Sequence, residues 1–130
     1  RAVLYGMNRG TRRAHIVRAA LESIAHQNAD VLDAMARDTG IPVSSLHADG
    51  GGSVNSLLMQ LQADLIPGRV ICTDEADLTM YGVGQMAGLA AGLYQTFLPS
   101  RVRAIYESNM CMEKRTLLRA GWADAVRRAR

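Results

Sequence analysis

The sequence predicts an α/β domain in which parallel strands are flanked by helices, and two observations carry this prediction. Segments with apolar residues at helical spacing alternate with short apolar segments rich in β-branched residues, and Gly and Pro separate them. A chain of 130 residues, 48% hydrophobic and 21% charged, is long enough for one globular domain and too short for two. We therefore expect one domain over residues 1–130 and no second domain.

The first predicted element is a helix over residues 12–38, because apolar side chains recur there every three or four positions. Thr11 is its expected N-cap, and Gly40 with Pro42 ends it, since glycine adopts the left-handed conformation and proline cannot continue a helix. The apolar positions that define this helix are Val17, Leu21, Ile24, Val31 and Met35.

The remaining elements follow the same alternation of periods. In chain order we expect a strand over 44–48, a helix over about 53–65, a strand over 69–73, a helix over about 79–94, a strand over 102–106 and a helix over 112–129. Pro67-Gly68 predicts a turn, and Asp74 to Asp77 an acidic loop. The succession of helix and strand predicts parallel pairing.

One uncharged segment, Leu78 to Leu98, is long enough to cross a membrane. Its glycines and glutamines leave only modest hydrophobicity, so we expect no membrane association. Gly84, Gly88 and Gly92 form a seam of small residues at four-residue spacing, which predicts that this helix lies close against a sheet.

Charge is distributed unevenly, although the net charge is only +3. Residues 1–18 carry five arginines and no acid, residues 19–100 carry two basic and nine acidic groups, and residues 101–130 carry eight basic and three acidic groups. No aromatic residues alternate with these arginines to stack on bases, so we interpret them as solvated helix faces and expect no nucleic-acid partner.

The chain opens Arg1-Ala2-Val3, without an initiator Met or a signal peptide, which predicts a piece of a longer protein. Two cysteines, Cys72 and Cys111, are too few for a disulfide framework, so we expect a cytoplasmic location.

The most informative stretch is the Gly-rich turn, which we define as residues 49–55, Asp-Gly-Gly-Gly-Ser-Val-Asn. It joins the end of a strand to the start of a helix, where α/β proteins bind ligands. Consecutive glycines admit a ligand to the backbone, the helix N-terminus suits a nucleotide, and the Asn55 amide can both donate and accept. Gly50, Gly51 and Asn55 are the candidate nucleotide-binding residues; the alternative is a plain turn with Ser53 as N-cap.

Other reactive side chains do not form a recognisable catalytic or metal-binding pattern. Asp49 is either a general base or magnesium ligand or, more simply, an acceptor of local backbone N–H groups. His15 and His26 lack the spacing of helical metal ligands, and His47 stands alone in a strand. Neither Cys72 nor Cys111 has a neighbouring His. We therefore predict no metal site and no catalytic residue in this chain.

Several segments, taken together, resemble the FGGY family of carbohydrate kinases, and most closely its members that phosphorylate glycerol. The match runs in order along nearly the whole chain, and the Gly-rich turn with the helix after it resembles the family's adenosine motif. The matching segments are Gly6–His15, Arg18–Ala25, Asp49–Ser56, Leu58–Gln60, Gln62–Asp64, Thr79 with Gly82, Ala87–Ala90, and Ala120–Trp122 with Ala125–Val126. Asn8, Met80, Tyr81 and Gly84 depart from the family's usual residues.

This resemblance implies the carboxyl-terminal part of the second of two ribonuclease H-like, actin-like ATPase domains. It implies a parent enzyme that uses ATP and Mg²⁺ to phosphorylate a hydroxyl of glycerol or a related polyol or sugar. Carried over residue by residue, the nucleotide contacts fall on Gly51 and Asn55. The family's phosphate loop, acceptor site and catalytic Asp have no counterpart here, so the fragment alone is expected to bind adenosine and to be inactive.

A second reading remains open, a non-catalytic nucleotide-binding or interaction module of actin-like fold. An Asp-x-Gly-Thr loop encoded upstream would decide for the kinase. The resemblance also implies that strands neighbouring the first strand are missing here. An uncovered strand edge favours self-association, so we expect a homo-oligomer.

Overall fold

The computed structural model describes residues 3–75 and 77–129. Its elements in chain order are α1 (Arg13–Thr39), β1 (Ser45–Ala48), a 3-10 turn (Gly51–Val54), α2 (Ser56–Leu65), β2 (Arg69–Thr73), α3 (Leu78–Ala90), β3 (Val102–Tyr106) and α4 (Met112–Ala129). Each predicted helix and strand is present. The helix predicted from Ser53 begins as the 3-10 turn, and α3 ends at Ala90 rather than at Tyr94.

The three strands form one sheet in the order β1-β2-β3. β1 and β2 are parallel, as predicted, with Ala48 beside Cys72. The prediction of parallel strands is wrong for β3, which runs antiparallel to β2. The reason lies in the segment after α3: it turns back along that helix, where the Tyr94 hydroxyl donates to the Gly84 carbonyl and the Leu98 N–H to Gln85 Oε1. The chain thus re-enters the sheet at the end where β2 leaves it.

The hydrophobic core lies where α2 is sandwiched between α1 and one face of the sheet. Six of the ten residues of α2 are buried. Ala25 and Ala29 of α1 meet this helix from outside, and Val70 and Cys72 of β2 meet it from the sheet. Small residues on α1 allow its close approach to α2, while the thiol of Cys72 is fully buried, as expected for an inert core cysteine.

The α1–α4 contact is polar and involves Arg119, Trp122 and two acidic residues of α1. The Arg119 guanidinium donates to Asp30 at 2.7 Å and to Asp33 at 2.8 Å, and also to the His26 carbonyl at 3.1 Å. The Trp122 indole N–H donates to Asp30 at 2.7 Å, and its ring stacks on the buried His26 ring with centroids 5.1 Å apart. This clamp holds α4 against α1.

The C-terminal end of α1 is as predicted, whereas its N-cap is not. Gly40 has φ +68° and ends the helix, as expected. At the other end Arg12, not Thr11, is the N-cap residue: its N–H donates to His15 Nδ1 at 3.1 Å, while the Thr11 hydroxyl accepts from the Asn8 N–H. His15 thus serves as a helix-capping residue.

The seam of small residues on α3 accommodates a side chain from the same chain rather than the sheet. A Cβ on Gly88 would collide with the phenol ring of Tyr94, which folds back against α3. The expectation that the seam brings α3 against the sheet is therefore wrong. Within the part of the chain described here, none of the helices has the length and apolar character needed to cross a membrane.

Candidate nucleotide-binding site

The Gly-rich turn lies at the carboxyl end of β1, directly before α2. Ala48 is the last residue of the strand, Asp49 is exposed, and α2 begins at Ser56. Because β2 runs parallel to β1, its carboxyl end lies at the same edge of the sheet. The predicted candidate residues therefore sit at the edge where open α/β sheets bind ligands.

Gly50 is the residue whose conformation requires glycine. Its φ of +72° with ψ of −175° lies in a region that residues with a Cβ avoid. Gly51 has no positive φ, so its backbone conformation does not require glycine. Gly50 thus turns the chain away from β1, and Gly51 is left with ordinary helical geometry.

Gly51 and Gly52 instead leave room above the backbone. Both residues are exposed, and a Cβ built on either one would meet no heavy atom within 4 Å. A planar ligand could therefore reach the peptide groups of the turn without moving any described residue. The open surface is compatible with the predicted approach of a ligand at Gly51, which stays a prediction.

Ser53 closes the turn from inside. Its side chain is buried, its hydroxyl donates to the Gly50 carbonyl at 2.8 Å, and its N–H donates to the same carbonyl at 3.1 Å. The predicted alternative role of Ser53 as the helix N-cap is wrong.

Asn55 is the N-cap of α2. Its Oδ1 accepts from the Leu58 N–H at 3.1 Å, and its own N–H donates to the Gly52 carbonyl at 3.2 Å. The amide thereby satisfies one of the free N–H groups of the first turn. Since Oδ1 is used in this way, the Nδ2 group is the part of the exposed side chain that can donate to a ligand.

Arg103 of β3 also contacts this turn, and sequence reasoning missed it. Its Nη2 atom donates to the Ser53 carbonyl at 2.6 Å and lies 3.3 Å from the Ser53 hydroxyl. The two residues are separated by 50 positions in the chain, so only the sheet brings them together. No local pattern in the sequence signals such a contact.

The remaining candidate residues are dispersed. His15 caps α1, His47 is exposed on β1, and His26 lies in the α1–α4 clamp. Burial, reinforced by the neighbouring Arg119 guanidinium, lowers the pKa of His26 below its usual value. Within residues 3–75 and 77–129 no three His, Cys, Asp or Glu side chains converge as metal ligands would.

Known proteins resemble this chain in sequence and in fold. Residues 1–91 match the model of the FGGY family of carbohydrate kinases, C-terminal domain. The chain is 47% identical over 133 residues to a glycerol kinase from Dechloromonas aromatica. This alignment covers 99% of the chain and 26% of the kinase. Glycerol kinases from Halorhodospira halophila and Shewanella baltica are 40% and 42% identical to this chain, which likewise spans only 26% and 27% of their length.

Solved structures of carbohydrate kinases also resemble this chain. A glycerol kinase from Plasmodium falciparum, crystallised with ADP, superposes with a TM-score of 0.90 at 34% identity, over 98% of this chain and 26% of that one. A xylulose kinase from Rhodospirillum rubrum gives a TM-score of 0.72 at 19% identity over 92% of this chain and 25% of that one, a likeness of fold alone. The predicted α/β, actin-like fold class is confirmed.

Proposed function

Because this chain belongs to the FGGY family of carbohydrate kinases, we propose that its Gly-rich turn binds the adenosine part of ATP. Gly50 sets the direction of the turn, Gly51 lets the nucleotide approach the backbone, and Asn55 offers its Nδ2 amide as a donor. In this proposal residues 1–130 form the adenosine-binding portion of the family's carboxyl-terminal domain.

The observation that carries the proposal is the open backbone at Gly51. It lies at the carboxyl edge of a parallel strand pair and directly before α2, which Asn55 caps. A Cβ at this position meets nothing in the protein, so the fold leaves space at this edge of the sheet for a ligand to reach the backbone.

The complete enzyme, we infer, transfers the γ-phosphate of ATP to a hydroxyl of glycerol or a related polyol or sugar. Phosphoryl transfer depends on positioning and charge stabilisation of the phosphates, the metal ion and the acceptor. Mg²⁺ commonly binds through phosphates, water and only one or two carboxylates, so it needs no cluster of side chains within the described residues. This chain's part is to hold the nucleoside end.

The test is nucleotide binding by the wild-type chain and three variants, measured by calorimetric titration with ATP and ADP. Gly51→Val places two methyl groups in the proposed site and should abolish binding. Asn55→Ala removes one hydrogen bond and should weaken binding about three- to tenfold. Gly52→Ala, the control, adds a single methyl group one residue beyond the proposed contact and should bind nearly as tightly as wild type.

Circular dichroism melting of the same proteins separates loss of binding from loss of fold. Equal affinities for the wild type and Gly51→Val would reject the site. In a coupled ADP-release assay with glycerol, Mg²⁺ and ATP, the 130-residue chain should show no turnover, since the family's acceptor site and catalytic Asp have no counterpart in its sequence.

Self-association of the isolated chain is also part of this proposal. β1 is an edge strand with β2 on one side only, and Val102 and Ile105 of β3 are about half exposed, at 52% and 51%. Sedimentation velocity should therefore reveal dimers or larger species. A sharp monomer boundary at all concentrations would contradict it.

We place the protein in the cytoplasm, where thiols stay reduced. Both cysteines are free, with Cys72 buried and Cys111 exposed, which suits such a compartment.

A further inference from the structure

Arg103 connects β3 to the Gly-rich turn, although the two lie at opposite edges of the sheet. β2 stands between β1 and β3. The guanidinium reaches past the end of β2 and donates to the Ser53 carbonyl at 2.6 Å, with the Ser53 hydroxyl 3.3 Å from the same nitrogen. The turn is thereby attached to a strand that is distant from it in the chain.

The pairing of β3 with β2 independently explains why the Arg103 side chain extends to the Gly-rich turn. Ala104 pairs with Cys72 and Val102 pairs with Thr73, so the register shifts and Arg103 has no partner residue on β2. Such an unpaired residue marks a β-bulge, which bends the strand and redirects the side chain that it carries. Here the redirected side chain is the one that contacts the turn.

Ser53 is the residue through which this contact acts. It is only 4% exposed, so its carbonyl needs a donor from the protein. It also lies between Gly51 and Asn55, and its hydroxyl binds the Gly50 carbonyl. A group that fixes Ser53 therefore fixes the relative placement of both residues proposed to contact the nucleotide.

We propose that Arg103 is a positioning residue for nucleotide binding, which holds the Gly-rich turn in its receptive shape through Ser53. This inference rests on the proposed function. Both contacts to Ser53 come from Nη2, at the far end of the guanidinium, and a lysine side chain ends one bond short of that atom. Arg103 lies outside residues 1–91, which match the family model.

The experiment compares wild type with Arg103→Met, Arg103→Lys and the matched control Arg101→Met. Arg101 lies two residues earlier near the same end of the sheet, and its exposed guanidinium approaches Asp74 only to 3.9 Å. The dissociation constants for ADP and for adenosine are measured by calorimetry on the full 130-residue chain. Amide hydrogen exchange at Ser53 and Asn55 is followed in the same proteins.

We expect Arg103→Met to weaken ADP and adenosine alike, by about three- to tenfold, and to speed exchange at both amides. Arg103→Lys should recover part of the affinity, and Arg101→Met should bind as wild type does. Because Arg103→Lys keeps the charge and the long side chain, it retains a test of the proposal even if Arg103→Met does not fold.

Five results would overturn the inference. Unchanged affinity in Arg103→Met, full affinity in Arg103→Lys or an equal loss in Arg101→Met would reject positioning by Arg103 and leave the nucleotide site intact. A loss for ADP without a loss for adenosine would reject it in favour of direct phosphate contact. If the wild-type chain binds neither ligand, the proposed function itself fails, and the inference with it.

Discussion

Two helices begin at the same edge of the sheet, and their first turns are built alike. Asn55 caps α2 by accepting from the Leu58 N–H at 3.1 Å, and Asp77 caps α3 by accepting from the Met80 N–H at 2.9 Å. Both caps follow a strand of the parallel pair. By the position rule alone, either helix could face a nucleotide.

The segments that precede the two helices differ in glycine content and in charge. Before α2 stand three glycines whose turn is fastened from inside by Ser53. Before α3 stands an acidic loop containing Asp74, Glu75 and Asp77, whose charges oppose a phosphate. Position at a strand end is thus common to both helices, whereas the open backbone is a feature of the turn before α2, where we propose that the nucleotide binds.

Packing separates the two helices further, and the largest expected effect tests it. Leu58 and Met80 occupy the same position relative to their caps, but Leu58 is 8% exposed and Met80 is 72% exposed. Leu58→Ala should cost about 2–5 kcal/mol of unfolding free energy because it leaves a cavity in the core. Met80→Ala should change it by less than about 0.5 kcal/mol. Urea denaturation of both variants measures the difference, and equal losses would mean that α3 is packed as tightly as α2.

A second pair of substitutions compares glycines. Gly50→Ala forces a side chain into a strained conformation, so it should cost about 1–3 kcal/mol of stability. Gly82→Ala in α3 fills open space on a helix and should stabilise the protein by about 0.4–1 kcal/mol. Thermal melting with nucleotide titration checks both, and a stabilised Gly50→Ala would refute the conformational requirement.

Replacing the two caps should give equal structural effects and unequal functional ones. Asn55→Ala and Asp77→Ala each remove one cap, at about 0.5–2 kcal/mol. Only Asn55→Ala should weaken nucleotide binding, since only α2 adjoins the open turn. The two variants are compared by melting and by ADP titration, and a matching loss of affinity in Asp77→Ala would move the proposed site toward the acidic loop.

The smallest expected effect is that of pH on stability. It should arise from His26 of α1, the helix that packs on α2. Burial lowers the pKa of His26, so the folded chain favours the neutral ring and the unfolded chain binds the proton more readily. The stabilisation is complete above the ordinary pKa of about 6.5 and is lost as the pH falls below it toward the lowered value. Melting temperatures should decline below this pH less steeply in His26→Gln than in wild type. Exposed His47→Gln is the control, and its pH dependence should match that of wild type.

Much of the fold could be predicted because it depends on local signals. The period of apolar residues gave the strand over 69–73 and the helix over 112–129, and Gly40 gave the end of α1. The family resemblance is confirmed as well. The direction of β3 could not be predicted, because it depends on Tyr94 and Leu98 folding back onto α3 rather than on any pattern within the strand.

The candidate site divides in the same way. The Gly-rich turn and its position after a strand could be predicted from a short stretch of sequence. The separate roles of Gly50 and Gly51 were not, since three identical residues in a row do not reveal which one carries the positive φ. Arg103 was missed because its contact spans 50 residues and a register shift.

The return of the chain along α3 has a consequence for how the protein opens and closes. The contacts of Tyr94 with Gly84 and Gly88, and of Leu98 with Gln85, join residues no more than 13 positions apart. The unit formed by α3 and the segment that folds back on it is closed by short loops, so its formation costs little chain entropy. It can open locally without exposing the core around α2. Amide protons of α3 should therefore exchange through a small local opening, while those of α2 wait for the whole domain to unfold.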